Sequence, residues 1–134
     1  MSIQELMATV VCHRHVVDKS MLNCNNTLFG GEVLRWMDKV GHEVAVAVTR
    51  QMMCTLSADN IKFLKPAFEG ELVEVKGEPV DLGPVKMKVL LTATADPDGQ
   101  NRRDILTGNF TFIQIDENLR PRRINYPLSC DNIV

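Results

Sequence analysis

Between about Gly30 and about Val48 the chain carries Val33, Met37, Val40, Val44 and Val48 at helical spacing, one apolar stripe with little charge in it. A stripe of that length predicts a single long helix, well buried along one side. Valine lowers intrinsic helix propensity, so burial has to compensate. Gly31 and Gly41 add positions where other atoms can approach the helix closely. Whatever else the chain builds must cover this helix.

The remaining periodicity is that of strands. Met7–Val17 is rich in β-branched residues and reads as a first strand. A polar loop, Asp18–Thr27, follows, with asparagines at 23, 25 and 26, a residue type that tolerates left-handed backbone. After the helix come Thr55–Leu64, Glu71–Val80, Val85–Ala95 and Ile105–Ile115. In the third of these, Val85, Met87, Val89 and Leu91 alternate with Lys86 and Lys88, the pattern of a half-buried strand. One helix and a run of strands joined by short turns imply an α+β domain in which a mostly antiparallel five-stranded sheet covers the helix. The expectation is one domain over residues 1–134, with its core at about 7–116 and a polar tail at 117–134 whose end is mobile. Sheet edges and an outer face left over from such a fold favour a homo-oligomer.

Composition removes several classes. The chain of 134 residues holds 15 basic and 17 acidic groups, net charge −2, which gives no reason to expect nucleic acid or an anionic membrane as partner. No apolar run approaches a membrane span. Cys12, Cys24, Cys54 and Cys130 are scattered and read as free thiols of a reducing compartment, hence a cytoplasmic protein. No cysteine and histidine fall at metal-ligand spacing, so no metal is expected; His13 and His15 read as one face of a surface strand.

The chemistry concentrates at Asn23–Asp38. Two glycines, Gly30 and Gly31, open the helix, where the first N–H groups have no intrahelical partner and the dipole favours an anion or a developing oxyanion. Asp38 lies roughly 100° from the centre of the apolar stripe, at its polar border. A half-desolvated carboxylate there suits a general base.

The pattern Asn-x-x-x-Thr-Leu-Phe-Gly-Gly, with an aspartate seven residues after the second glycine, resembles the signature of hotdog-fold acyl-CoA thioesterases, the YciA-like acyl-CoA hydrolases. The resemblance continues through Thr55–Glu71, with its Phe63-Leu64-Lys65-Pro66 and Gly70-Glu71, and covers about residues 10–115. It implies a long helix wrapped by a curved antiparallel sheet. It also implies edge-to-edge dimers with active sites at the subunit interface, and larger assemblies, often hexamers built as trimers of dimers. The implied reaction is hydrolysis of acyl-CoA to a carboxylic acid and CoA, with no cofactor beyond the CoA of the substrate. Asp38 matches the catalytic carboxylate, acting as general base or nucleophile. Gly31 matches the backbone N–H that polarises the thioester carbonyl. Asn23, expected from the opposite subunit, orients water or carbonyl. Phe29, Gly30, Ser57 and Lys65 are the expected substrate contacts. The chain departs from the family pattern at Asn26, where many relatives have glycine, at Met21, and at the Gly83-Pro84 turn.

Other candidates are weaker. His42 follows Asp38 by one turn and could pair with it, although a polar helix flank is its ordinary role. Cys24 has no histidine placed near it. Trp36 reads as packing. Lys62, Arg102 and Arg103 read as surface charges that could also meet phosphate. A non-catalytic acyl-CoA-binding module is the alternative, and the presence of both Asp38 and Asn23 argues against it. The sequence has no Gly-x-Ser-x-Gly elbow and no P-loop.

Overall fold

The computed structural model describes residues 2–126 and 128. In chain order the elements are helix α1 (Ile3–Leu6), strand β1 (Val11–Val16), a 3-10 turn (Lys19–Met21), helix α2 (Gly30–Thr49), and strands β2 (Met53–Phe63), β3 (Leu72–Leu82), β4 (Lys86–Ala95) and β5 (Arg103–Gln114). The strands form one antiparallel sheet in the order β1-β3-β4-β5-β2. The sheet packs against α2, the α+β arrangement that the stripe and the alternation predict. β2 is an edge strand, so one side of its backbone has no strand partner among the described residues.

All five residues of the stripe are buried, facing Val73 and Val75 of β3, Met87, Val89 and Leu91 of β4, and Phe110 and Phe112 of β5. Each fully buried side chain of this kind contributes about 1.5–3 kcal/mol. Helix and sheet meet where two residues lack a side chain. A Cβ on Gly41 would lie 2.8 Å from the Phe112 ring, and one on Gly77 would lie 2.9 Å from Val40. Register shifts between Thr55 and Ser57, Asp59 and Lys62, Pro79 and Asp81, and Ala93 and Thr94 mark bulges, which add local bend and twist.

Three expectations need correction. Met7–Val10 is not strand. Ser2 accepts the Glu5 N–H (3.1 Å) and starts α1, so the chain opens on a capped helical turn, legible in hindsight as Ser-x-x-Glu. His13 and His15 do share one face, but it is turned toward α2. His13 Nε2 lies 2.7 Å from Glu43, and His15 stacks on buried Trp36 with ring centroids 4.1 Å apart. Burial pushes the His15 imidazole below its ordinary pKa. The polar tail docks through at least residue 126. Arg122 donates to the Gln114 carbonyl (3.0 Å), Ile124 to Pro84 (2.8 Å), and the Tyr126 hydroxyl to Gly83 (2.6 Å). Asn125 and Gln51 exchange two further bonds of 2.9 and 3.1 Å. Ile124 is buried, which anchors this strap. The expected mobile end and Cys130 lie outside the described residues.

Candidate functional site

The loop before α2 is built on Asn23. Its Oδ1 accepts the N–H groups of Asn25 (2.9 Å) and Thr27 (3.1 Å), and its Nδ2 donates to Thr27 Oγ1 (2.9 Å). Asn26 takes the left-handed conformation, φ 61°, that this tight turn requires. Leu28 and Phe29 then tie the loop to the body by donating to the carbonyls of Ala67 and Met21. Asn23 is thus used within its own loop and makes no bond to Asp38 of the same chain. Only one of its two amide hydrogens is engaged among the described residues.

α2 begins at Gly30 after Phe29, which provides no side-chain cap. The N–H groups of Glu32 and Val33 turn back to the Phe29 carbonyl, and among the described residues no capping side chain meets those of Gly30 and Gly31. Exposed aromatic rings cover both glycines. A Cβ on Gly31 would meet the Phe29 ring at 2.5 Å, and one on Gly30 would meet the Phe63 ring at 2.5 Å.

Asp38 is half-buried on the same helix. Seven residues separate it from Gly31, about two turns and roughly 10 Å along the axis, so the two share a face. Helical side chains lean toward the N-terminus, which shortens the gap between the carboxylate and the Gly31 turn. The partner of Asp38 is Thr55 of β2, whose hydroxyl donates to Oδ1 at 2.6 Å. Thr55 lies within the second motif, where no local pattern gives it a role. Only the pairing of β2 against β5, which sets Thr55 opposite Phe112, brings it over the helix.

A narrow recess of about 30 Å³ opens beside the helix start. Its inner walls are the buried side chains of Leu28, Val33, Ala67, Ile105 and Leu106. Gly30, Phe63 and Lys65 line its outer part, so two of the expected substrate contacts meet there.

Several candidates lie elsewhere. Ser57 stands on the outer face of the sheet in a groove with Asp81, Lys86, Lys88 and Thr111, away from Asp38. The bulge explains this. Regular pairing would set Ser57 opposite Phe110 on the helix side, but the register shift sets it opposite Thr111. His42 does not pair with Asp38; its Nε2 lies 3.0 Å from the Met53 carbonyl. Arg103 is spent on a clamp. It bonds both oxygens of Glu71 (2.9 and 2.5 Å) and the Pro66 carbonyl, and it stands over the Phe68 ring. The guanidinium holds the Glu71 carboxyl below the usual carboxylate range. Arg102 donates to the Pro97 carbonyl. Lys62 and Lys65 are exposed, and among the described residues neither forms an ion pair. Cys24 is exposed at the loop tip.

A long glycine-opened helix wrapped by a five-stranded antiparallel sheet defines a hotdog-type fold. The thioesterase superfamily model matches residues 25–101, more than half of the chain, and the chain belongs to that superfamily. An uncharacterized acyl-CoA thioester hydrolase of Haemophilus influenzae is 28% identical over 120 residues, covering 86% of this chain and 77% of the relative. Among solved structures, the acyl-CoA hydrolase of Bacillus cereus has a TM-score of 0.79 at 26% identity, covering 92% of this chain and 77% of its own. A hexameric broad specificity acyl-coenzyme A thioesterase has a TM-score of 0.81 at 22% identity, covering 94% and 92%; this likeness is one of fold. No helix among the described residues is long and apolar enough to cross a membrane.

Proposed function

We propose that the protein is an acyl-CoA thioesterase, and that Asp38, held by Thr55, is its catalytic carboxylate. The observation that carries the reading is the 2.6 Å bond between these two side chains, on the same helix face as the uncapped Gly31 N–H. The alternative, a binding module without catalysis, has no use for an oriented carboxylate at that place.

The reaction adds water to the thioester carbonyl. Asp38 takes a proton from the water as it attacks, and the carbonyl oxygen gains charge against the Gly31 N–H, a contact that typically contributes ~3 kcal/mol. A rise of roughly 10 Å along the helix between Gly31 and Asp38 suits a carboxylate acting through a water better than direct attack. The tetrahedral intermediate expels CoA thiolate, which takes the proton back from Asp38 and leaves as the thiol, and the carboxylic acid remains. Thr55 fixes the carboxylate rotamer. The spare amide hydrogen of Asn23, reaching from an opposite subunit, orients water or carbonyl. Phe29 and Gly30 border the reacting group, and Lys65 stands at the rim of the recess beside them. No metal or further cofactor enters this chemistry. The unpaired edge of β2 suits edge-to-edge dimerisation, with a trimer of dimers as the larger assembly. Three exposed thiols, at Cys12, Cys24 and Cys54, suit a reducing cytoplasm.

The test is release of thiol from an acyl-CoA panel by wild type, Asp38→Asn and Asn23→Ala. Asp38→Asn folds and assembles normally and loses at least 10²-fold in kcat. Mixed oligomers of the two variants regain activity, because some sites then hold both intact residues. Wild type that binds acyl-CoA without turning it over overturns the reading in favour of the binding module. Verified mixed oligomers without recovery overturn the shared site.

A further inference from the structure

We propose that Phe63 is a chain-length stop: its ring closes the apolar recess beside Gly30 and restricts the enzyme to short acyl chains. The inference rests on the thioesterase reading and adds to it a substrate class and the residue that sets it. The recess begins one residue from the Gly31 N–H, so an acyl chain whose carbonyl sits there has its first carbons at the opening. The walls decide which arm of the substrate enters. Leu28, Val33, Ala67, Ile105 and Leu106 present hydrocarbon. The nearby backbone donors of Leu64 and Lys65 are both turned to the Ile105 carbonyl (2.9 and 3.4 Å). The pantetheine arm of CoA carries amides that would lose hydrogen bonds there, whereas an acyl chain loses none. Within one chain the recess is small, about 30 Å³, so the proposal seats only the first carbons of such a chain in it.

The Phe63 ring limits that space. It is 63% exposed, yet its Cε1 stands 2.5 Å from where a Gly30 Cβ would be. Exposed within the chain at the end of edge strand β2 and resting on a glycine, the ring forms a wall of the opening; it is not a member of the core. Gly30 permits this seat, since any side chain there would displace the ring. Cutting Phe63 back to alanine widens the recess beside the helix start and costs little core packing within the chain.

The experiment measures kcat/KM on saturated acyl-CoA esters from acetyl to dodecanoyl for wild type, Phe63→Ala and Phe63→Leu, with thermal midpoints to verify folding. Wild type is expected to favour acetyl to butyryl and to fall beyond. Phe63→Ala is expected to raise the hexanoyl-to-acetyl ratio and extend the profile, about fourfold for each methylene admitted, since ~0.8 kcal/mol per buried methylene converts to that factor. Phe63→Leu lies between. Folded Phe63→Ala with the wild-type profile refutes the stop while hydrolysis stands, as does wild type that accepts dodecanoyl-CoA as well as acetyl-CoA. The same series is titrated for binding to Asp38→Asn and to Asp38→Asn/Phe63→Ala. If no protein turns over, the thioesterase reading fails, and the chain-length dependence of binding alone supports or refutes the stop.

Discussion

Gly41 sits in the middle of α2 where the helix presses on the sheet, and replacing it with alanine tests that seam directly. In an exposed helix the change would stabilise by about 1 kcal/mol, because alanine has the higher helix propensity. Here the new methyl would lie 2.8 and 3.0 Å from two atoms of the Phe112 ring and 3.3 Å from Leu91. Carbon atoms pack at about 3.5–4.0 Å, so the ring must retreat by roughly 0.7–1 Å. Phe112 is fully buried, so the ring can retreat only by displacing its neighbours. Overpacking of this kind costs about 1–3 kcal/mol. The net is a destabilisation of about 1 kcal/mol, or roughly 3–5 °C in Tm for a chain of this size. Phe112 also stands opposite Thr55 in the sheet, so its retreat disturbs the Thr55–Asp38 bond, and turnover falls further than stability. Urea and thermal unfolding of Gly41→Ala, Phe112→Leu and the double variant measure this. The two changes should compensate, with a coupling of at least 0.5 kcal/mol. A Gly41→Ala protein more stable than wild type would refute the packing argument.

Three further outcomes are expected. Thr55→Val removes the hydroxyl that holds Asp38 while keeping the shape. The bond orients the reacting carboxylate at an exposed position, so kcat should fall about 10-fold with Tm lowered by a few °C at most; unchanged kcat would remove Thr55 from the site. The Glu71 carboxyl has a depressed pKa in the folded state because Arg103 bonds it. Its contribution is therefore present above the unfolded carboxyl value, about 4.3, and is lost as pH falls through the folded value. Glu71→Gln should lower stability at pH 7 by about 1–2 kcal/mol and flatten the acid limb of the urea midpoint, whereas an unaltered limb would contradict the clamp. Asn26→Val should cost about 1–2 kcal/mol because φ is 61°, while Asn26→Gly should be nearly neutral; equal stabilities measured by urea unfolding would contradict the left-handed turn.

What the sequence determined by itself is local. The spacing of Val33, Met37, Val40, Val44 and Val48 forces a buried helix, because no other backbone puts all five on one side. The alternation around Met87 and Val89 forces a half-buried strand in the same way. The asparagine at 26 and the paired glycines at 30 and 31 state their backbone needs directly. The candidate carboxylate was also legible, since its position on the helix follows from counting. Its partner was not. Thr55 reaches Asp38 only because β2 pairs at the far edge with β5, a contact between segments well apart in the chain. Ser57 leaves that face because of one bulge, and a single extra residue reverses which side of a sheet every later side chain faces. Arg103 looked like a surface cation until Glu71 and Pro66 folded against it. The tail looked loose until Ile124 found the core and Tyr126 found the Gly83 carbonyl. Short-range periodicity is written residue by residue, whereas register, bulges and long-range ion pairs depend on which distant backbone arrives alongside, and only the tertiary structure decides that.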